Sequence, residues 1–303
     1  MTLTELRYLV ALAETRHFGR AAEACFVTQP TLSAGLKKLE DHLGVQLVER
    51  TSKRVALTPV GAAVVDQARR VLDECTAIEA IAREGQEPLS GPFHLGVIPT
   101  LGPYTLPWVV PPLRAAHPEL ELTLREDLTD NLLEALRAHV VDAALLALPV
   151  PGDDLRSEAV FDEPFWLAAP ADHPLAARKR VRQSDLQGHR VLLLGEGHCF
   201  RDQALEVCHE VGADSEAGDF RATSLETLFQ MVRAGLGCTL LPALALPAHR
   251  GDEAVALHPF VRPAPMRRIA VVWRKSFPRP GDCALLAQSI REHLPEGLKR
   301  AHG

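Results

Sequence analysis

The chain has 303 residues, which at roughly 150 residues per domain points to about two folded domains. Hydrophobic residues make up 47% and charged residues 24%, which excludes a disordered chain or collagen, and no apolar run reaches the ~18 residues of a membrane span. The 33 basic and 39 acidic residues leave a net charge of −6, which taken whole argues against a nucleic-acid partner. Glu5 and Arg7 fall where the apolar stretch of a signal peptide would run. Six cysteines are too few for a disulfide scaffold, so a cytoplasmic protein with mostly free thiols is expected.

The charge is uneven along the chain. Residues 1–60 carry eight basic and six acidic residues, a net +2, and the remainder carries −8. Within this head, Leu3, Leu6, Leu9, Val10 and Ala13 follow a 3.6-residue period and predict a helix over 4–14, capped by Thr2 or Thr4. His17-Phe18-Gly19 breaks it, and Ala21, Ala22, Ala24 and Cys25 suit a second, closely packed helix. A third helix has Pro30 in its first turn, runs through Leu32, Leu36, Leu39 and Leu43, and stops at Gly44. Its outer face shows Thr31, Ser33, Lys37 and Lys38, and residues 45–58 read as a hairpin tipped by Lys53-Arg54. Three helices and a basic hairpin make a winged helix-turn-helix, which seats its third helix in the DNA major groove and its wing beside the backbone. By charge alone, a merely solvated helix face and loop are equally compatible.

The order of residues is more specific. Ala21-Ala22, Gln29-Pro30-Thr31-Leu32-Ser33, Leu39-Glu40, Leu43-Gly44 and Leu47-Val48-Glu49-Arg50, followed by Thr58 and Gly61, closely resemble the N-terminal domain of LysR-type transcriptional regulators. The resemblance implies that Gln29, Pro30, Thr31 and Ser33 lie at the DNA end of the recognition helix. It makes Arg50, Lys53 and Arg54 contacts to phosphate or the minor groove, beside Lys37 on the helix face.

Residues 59–83 have no internal glycine or proline beyond Pro59 and Gly61. Val64, Val71 and Ile78 recur every seven residues, as do Ala68, Cys75 and Ala82, which makes an a/d seam. A helix between two domains has little of its own chain to pack on, so a homodimer through 59–83 is expected. Gly, Pro and Ser over 85–92 mark a boundary. The expected domains are a winged helix-turn-helix over 1–58, a linker helix over 59–87 and a regulatory domain over 88–303.

Beyond 92, strands over 93–98, 120–125, 143–147, 165–169, 191–194 and 238–241 alternate with helices over 106–116, 129–138 (capped by Thr129) and 223–234. This is an α/β fold, and the LysR family implies two subdomains resembling periplasmic binding proteins, near 92–164 with 269–303 and 165–268. Ligands of such folds sit beyond the strand carboxyl ends, which points to Thr100 and Thr129.

The informative chemistry surrounds Cys199. Its neighbours are Gly195, Gly197, His198, Arg201 and Asp202, which could cap a following helix and so place Cys199 just before its N-terminus, and Cys208 follows. A thiolate is favoured by nearby cations and by helix N-termini, and an accessible one attacks peroxide to give a sulfenic acid. Cys208 is the candidate to condense with it. Nine residues of continuous helix span about 13.5 Å, whereas a disulfide needs Cα atoms within roughly 7 Å. Closure would therefore require the segment to unwind. Two unrelated thiols are the plainer reading. A zinc site of Cys199, Cys208, His198 and His209 fits no common finger spacing, and no metal or cofactor is expected.

The run from Gly197 through Cys208 resembles the sensing loop of the hydrogen-peroxide-responsive members of the LysR family. So do Ile98-Pro99-Thr100, Phe161-Asp162-Glu163-Pro164, the stretch 220–228 and Leu240-Leu241-Pro242-Ala243-Leu244-Ala245. The resemblance implies a peroxidatic Cys199, a resolving Cys208, and a peroxide site of Thr100, Thr129, His198 and Arg267, with Arg268 possible in its place. It implies promoter DNA, hydrogen peroxide and RNA polymerase as partners, glutaredoxin or thioredoxin as reductant, and a homotetramer. Cys25, Cys238 and Cys283 read as structural. Two other functions use part of the same features. A metabolite-responsive LysR-type regulator would not use the cysteine pair, and a thiol peroxidase would not use a winged helix.

Overall fold

The computed structural model describes residues 1–50, 55–82, 88–211, 222–295 and 298–300. The chain forms two units, Met1–Gln86 with Phe277–Arg279, and Glu87–Ser276 with Pro280–Gly303.

The first unit opens with α1 (Leu3–Thr15). Thr2 caps it by accepting from the Glu5 N–H, and the Glu5 carboxylate accepts from the Thr2 N–H at 2.8 Å. The break expected at His17-Phe18-Gly19 is the start of α2 (Phe18–Ala24), where His17 Nδ1 accepts from Gly19 and Arg20 N–H. Thr28 caps α3 (Gln29–Leu43), and Gly44, in the left-handed region at φ 70°, ends it. Leu6, Leu9 and Leu12 of α1 are buried with Ala21, Ala22, Leu32, Leu36 and Leu39, which joins the three helices in one apolar core. Each buried leucine contributes about 1.5–3 kcal/mol. Strands β1 (Val48–Arg50) and β2 (Val55–Leu57) form the expected hairpin, with Val48 opposite Leu57. Its start is held by Glu40, whose Oε1 accepts from the Leu47 and Val48 N–H groups at 2.8 and 3.1 Å. The tip with Lys53 and Arg54 lies outside the described residues.

Helix α4 (Pro59–Ala82) corrects one expectation. Its first half does have its own chain to pack on. Val65 and Ala68 are buried, and Val64 and Val71 half-buried, in the core that α1 helps to build. Ile78 is 66% exposed, so the heptad positions are spent internally early in the helix and left outward later. The side chain of Ala82 and residues 83–87 are outside the described residues.

The second unit alternates strands and helices. In order they are β3 (Gly91–Val97), α5 (Gly102–Ala116), β4 (Leu120–Glu126), α6 (Thr129–Arg137), β5 (Ala143–Leu148), β6 (Leu155–Pro170), β7 (Val191–Leu192), α7 (Cys199–Val211), α8 (Leu225–Arg233), β8 (Cys238–Pro242), α9 (Leu246–His249), β9 (Val255–Pro259), β10 (Met266–Arg274), α10 (Pro280–His293) and β11 (Lys299–Arg300). The sheet order is β4-β3-β5-β10-β6-β8-β7, with β9 and β11 also on β6. Strand β3 runs parallel to β4 and β5, while β10 is antiparallel to β5 and β6. Strand β6 changes partners midway. Up to Pro164 it pairs with β10, and from Phe165 onward with β8 and β9. One strand thus serves two α/β subdomains.

Candidate functional site

Three chain segments converge at the start of α7. The end of β3 delivers Ile98, Pro99 and Thr100, the start of α6 delivers Leu128 and Thr129, and the loop before α7 delivers Gly197, His198 and Cys199. Together they line a shallow, partly open hollow. Cys199 is the first residue of α7 and is half-buried, so it stands at the positive end of the helix dipole. Asp202 lies inside that first turn rather than at the cap. Gly197 has φ 89° and approaches Leu128 so closely that a Cβ would come to 2.9 Å of Leu128 Cδ1, so this bend requires glycine.

Thr129 does not cap α6 as expected. Leu128 occupies the cap position without a side-chain bond, and Asp127 Oδ1 takes over by accepting from the Leu128 N–H at 2.8 Å and Asn131 Nδ2 at 2.6 Å. The Thr129 hydroxyl is left buried beside the hollow with no hydrogen-bond partner. His198 is buried, and burial pushes its pKa below the ordinary histidine value, against the pull of a hydrogen bond with the Thr223 backbone. The ring is therefore neutral at neutral pH.

The structure separates Arg267 from Arg268. Pairing of β10 with β6 sets Arg267 opposite Glu163 and Arg268 opposite Asp162. Successive residues of a strand face opposite sides, so one arginine points in and the other out. Arg268 is exposed and bonds Asp162 at 2.7 and 3.0 Å. Arg267 is fully buried. Its Nη1 donates to Thr100 Oγ1 at 2.7 Å, its Nη2 to the Thr100 carbonyl at 3.0 Å, and its Nε to Glu163 Oε2 at 2.8 Å. The Phe200 ring centroid lies 5.2 Å from the guanidinium carbon, and Phe165 and Phe200 meet in a T-shaped contact. Arg267 does not itself line the hollow. It holds Thr100, which does. Glu163 was not singled out as a site residue in the sequence. It neutralises Arg267 and accepts the Leu244 N–H at 2.8 Å through its other oxygen. Its only sequence signal is that a buried arginine requires a carboxylate.

Cys208 sits on the same unbroken helix as Cys199, so the spacing that forbids a direct disulfide holds in this state. It is fully buried in the core of the second subdomain with Phe200, Ala204, Val207 and Cys238. Burial pushes its thiol up to about 11, and that of Cys238 up to about 12. The folded form thus holds the Cys208 proton more tightly than the unfolded form. The matching stability is present below the ordinary thiol value and lost as pH rises towards about 11. The reduced protein is expected to lose unfolding midpoint between pH 9 and 11, and Cys208→Ala to lose less, as measured by denaturant titration across that range. Cys283 is buried, and Cys25 half-buried with its pKa raised by burial.

On the first unit, Gln29, Pro30, Thr31 and Lys37 of α3 are exposed and Ser33 is half-buried, all within its first half or middle. Arg50 belongs to β1, and its side chain lies outside the description, as do Lys53 and Arg54. Among the described residues no cluster of three His, Cys, Asp or Glu side chains is placed to hold a metal ion, and no helix is long and apolar enough to cross a membrane.

Residues 3–62 match the family described as bacterial regulatory helix-turn-helix protein, lysR family, and residues 86–295 match the LysR substrate binding domain. The chain belongs to the LysR family. It is 49% identical over 97% of its length to the hydrogen peroxide-inducible genes activator of Dickeya chrysanthemi, covering 96% of that protein. It is 47% identical over 99% of its length to the DNA-binding transcriptional dual regulator OxyR of Escherichia coli K12, covering all of it (100%). Full-length OxyR of Pseudomonas aeruginosa superposes with a TM-score of 0.85 at 43% identity, over 100% of this chain and 98% of that one. A hydrogen-peroxide-bound OxyR mutant of Corynebacterium glutamicum gives 0.68 at 35% identity, over 96% and 92%.

Proposed function

We propose that this chain is a peroxide-responsive DNA-binding transcription regulator that works as a switch and not by turnover. The observation that carries it is the placement of Cys199 at a helix N-terminus, lining one hollow with Thr100, His198 and a buried, unpartnered Thr129 hydroxyl. Hydrogen peroxide would enter this hollow. The Cys199 sulfur attacks one peroxide oxygen, the O–O bond breaks, and the distal oxygen leaves as water once protonated. Cys199 is then a sulfenic acid. Cys208 attacks the oxidised sulfur, the S–O bond breaks, and a second water leaves as the disulfide forms. Thr100, braced by Arg267, and Thr129 provide hydroxyls towards the peroxide, and neutral His198 walls the hollow.

Since α7 must unwind to join the two cysteines, the chemistry is coupled to a change of shape that the DNA-binding unit can report. In this reading a dimer through α4, paired into a tetramer, acts in the cytoplasm on promoter DNA and RNA polymerase. Glutaredoxin or thioredoxin restores the thiols. Gln29, Pro30, Thr31 and Ser33 read base edges, while Lys37, Arg50, Lys53 and Arg54 bind phosphates or the minor groove.

The deciding experiment is peptide mass spectrometry after one equivalent of peroxide. A 199–208 disulfide is expected. A Cys199 that stays a free thiol ends the proposal, and a sulfenic or overoxidised Cys199 with no disulfide ends the role of Cys208. Thr129→Val tests the hollow separately. It removes a buried hydroxyl that lacks a partner, so stability should hold or rise by about 1 kcal/mol. The rate of Cys199 oxidation should fall by about 10²-fold, as when a positioned hydrogen-bond donor is removed from a reacting site. Stopped-flow peroxide consumption and thermal unfolding read the two effects.

A further inference from the structure

We propose that Phe26 is a DNA-reading residue that packs against a thymine methyl group at the edge of the recognition helix. The inference rests on the DNA-binding reading above and adds a contact to it. Phe26 lies in the turn between α2 and α3, and its side chain is 97% exposed, the highest exposure of any large hydrophobic residue described. Its backbone is in the left-handed region at φ 54°. A bulky residue is an outlier there, whereas glycine adopts that conformation freely. The turn cannot relax to hide the ring. The Cys25 N–H donates to Ala21, the Phe26 N–H to Glu23 and the Val27 N–H to Ala22, at 3.0, 3.0 and 2.9 Å. Cys25 and Val27 on either side pack inward on the core of the three helices. The tight turn therefore turns the ring outward, in a conformation and an exposure that are both unfavourable for phenylalanine.

Two kinds of surface could cover such a ring, DNA or a second copy of the chain. The surroundings favour DNA. Glu23, Ala24, Thr28 and Gln29 beside it are exposed and small or polar, so the ring stands alone rather than in an apolar patch. A stable protein interface needs on the order of 800 Å² from each partner, which one isolated ring does not approach. Base-edge reading is built from single side chains, and the C5-methyl of thymine is the apolar mark in the major groove. Thr28, two residues on, caps α3, and the exposed Gln29 and Thr31 begin it. Phe26 is thus continuous with the side chains that would enter the groove.

The test uses the full-length protein and a duplex that it selects from a random-sequence pool. Phe26→Gly relieves the backbone strain, so its unfolding midpoint should rise while its affinity for the selected duplex falls roughly fivefold or more, the low end for one lost base contact. Replacing single thymines by deoxyuridine removes one methyl at a time. One position per half-site should weaken the wild type and leave Phe26→Gly unaffected. Equal affinities and equal responses to deoxyuridine would overturn the proposal. So would a variant that keeps its duplex affinity but self-associates more weakly in sedimentation, which would assign the ring to a second copy. A wild type that enriches no duplex would overturn the DNA-binding reading itself.

Discussion

Cys199→Ser is expected to abolish the response to peroxide while leaving the fold and the reduced-state DNA binding intact. Serine is close to cysteine in size, and Cys199 is half-buried with its hollow already formed by Thr100, Thr129 and His198. Its hydroxyl is not a nucleophile towards peroxide at neutral pH, so no sulfenic acid forms and Cys208 has nothing to attack. Footprints on promoter DNA, taken before and after stoichiometric peroxide, should be identical for the variant and different for the wild type. A peroxide-dependent footprint retained by Cys199→Ser would move sensing to another thiol. Cys208→Ser separates the two steps. Trapping with a sulfenic-acid reagent should then label Cys199 durably, because oxidation still occurs and resolution does not.

Arg267→Met should destabilise the regulatory unit by about 3–5 kcal/mol, the range for breaking a buried ion pair from one side. The arginine and Glu163 side chains are both wholly buried, with Nη2 and Oε2 2.7 Å apart. Removing the cation leaves the Glu163 carboxylate in the core with, among the described residues, the Leu244 N–H as its remaining partner, and it frees Thr100. Replacing both partners, as Arg267→Met with Glu163→Leu, should restore most of the stability, since no charge is then left unpaired. Peroxide reactivity should stay low in the double variant because Thr100 is still unbraced. Urea unfolding and peroxide consumption separate the two effects, and recovery of both together would make Arg267 purely structural.

The DNA-binding unit was largely legible from residue spacing. Its leucines keep a 3.6-residue period, and Thr2 and Gly44 stand where helix termini require them, whereas Thr28, read only as part of a turn, caps α3. The place of Cys199 was legible to within a few residues, since glycines precede it and Asp202 offered a cap, but the helix begins at Cys199 itself and takes Asp202 into its first turn. What was hidden depends on pairing across long distances in sequence. The first half of β6 carries Glu158, Asp162, Glu163 and Pro164, which suit no isolated strand, and becomes one through β10 and through arginines 267, 268 and 291. The choice between Arg267 and Arg268 rests on that register alone, because a shift of one residue exchanges the two faces. Thr129 has the residue type of a helix cap, and the competing Asp127 two residues earlier displaced it. The early heptad positions of α4 were read as a partner surface because periodicity shows that a face is buried and not what buries it.

The depth of Cys208 also bears on how the signal ends. Its sulfur fills a place in a packed core beside Ala204 and Val207, so drawing it out to meet Cys199 would leave that place poorly filled. Loss of such packing costs on the order of 1–3 kcal/mol. For a two-electron couple about 1.4 kcal/mol corresponds to about 30 mV, so the oxidised form would be easier to reduce by several tens of millivolts than an unstrained disulfide. The core would then act as a return spring. Under the proposed cycle each activation would store the energy of its own reset, and the protein would revert once peroxide falls and a dithiol reductant gains the upper hand.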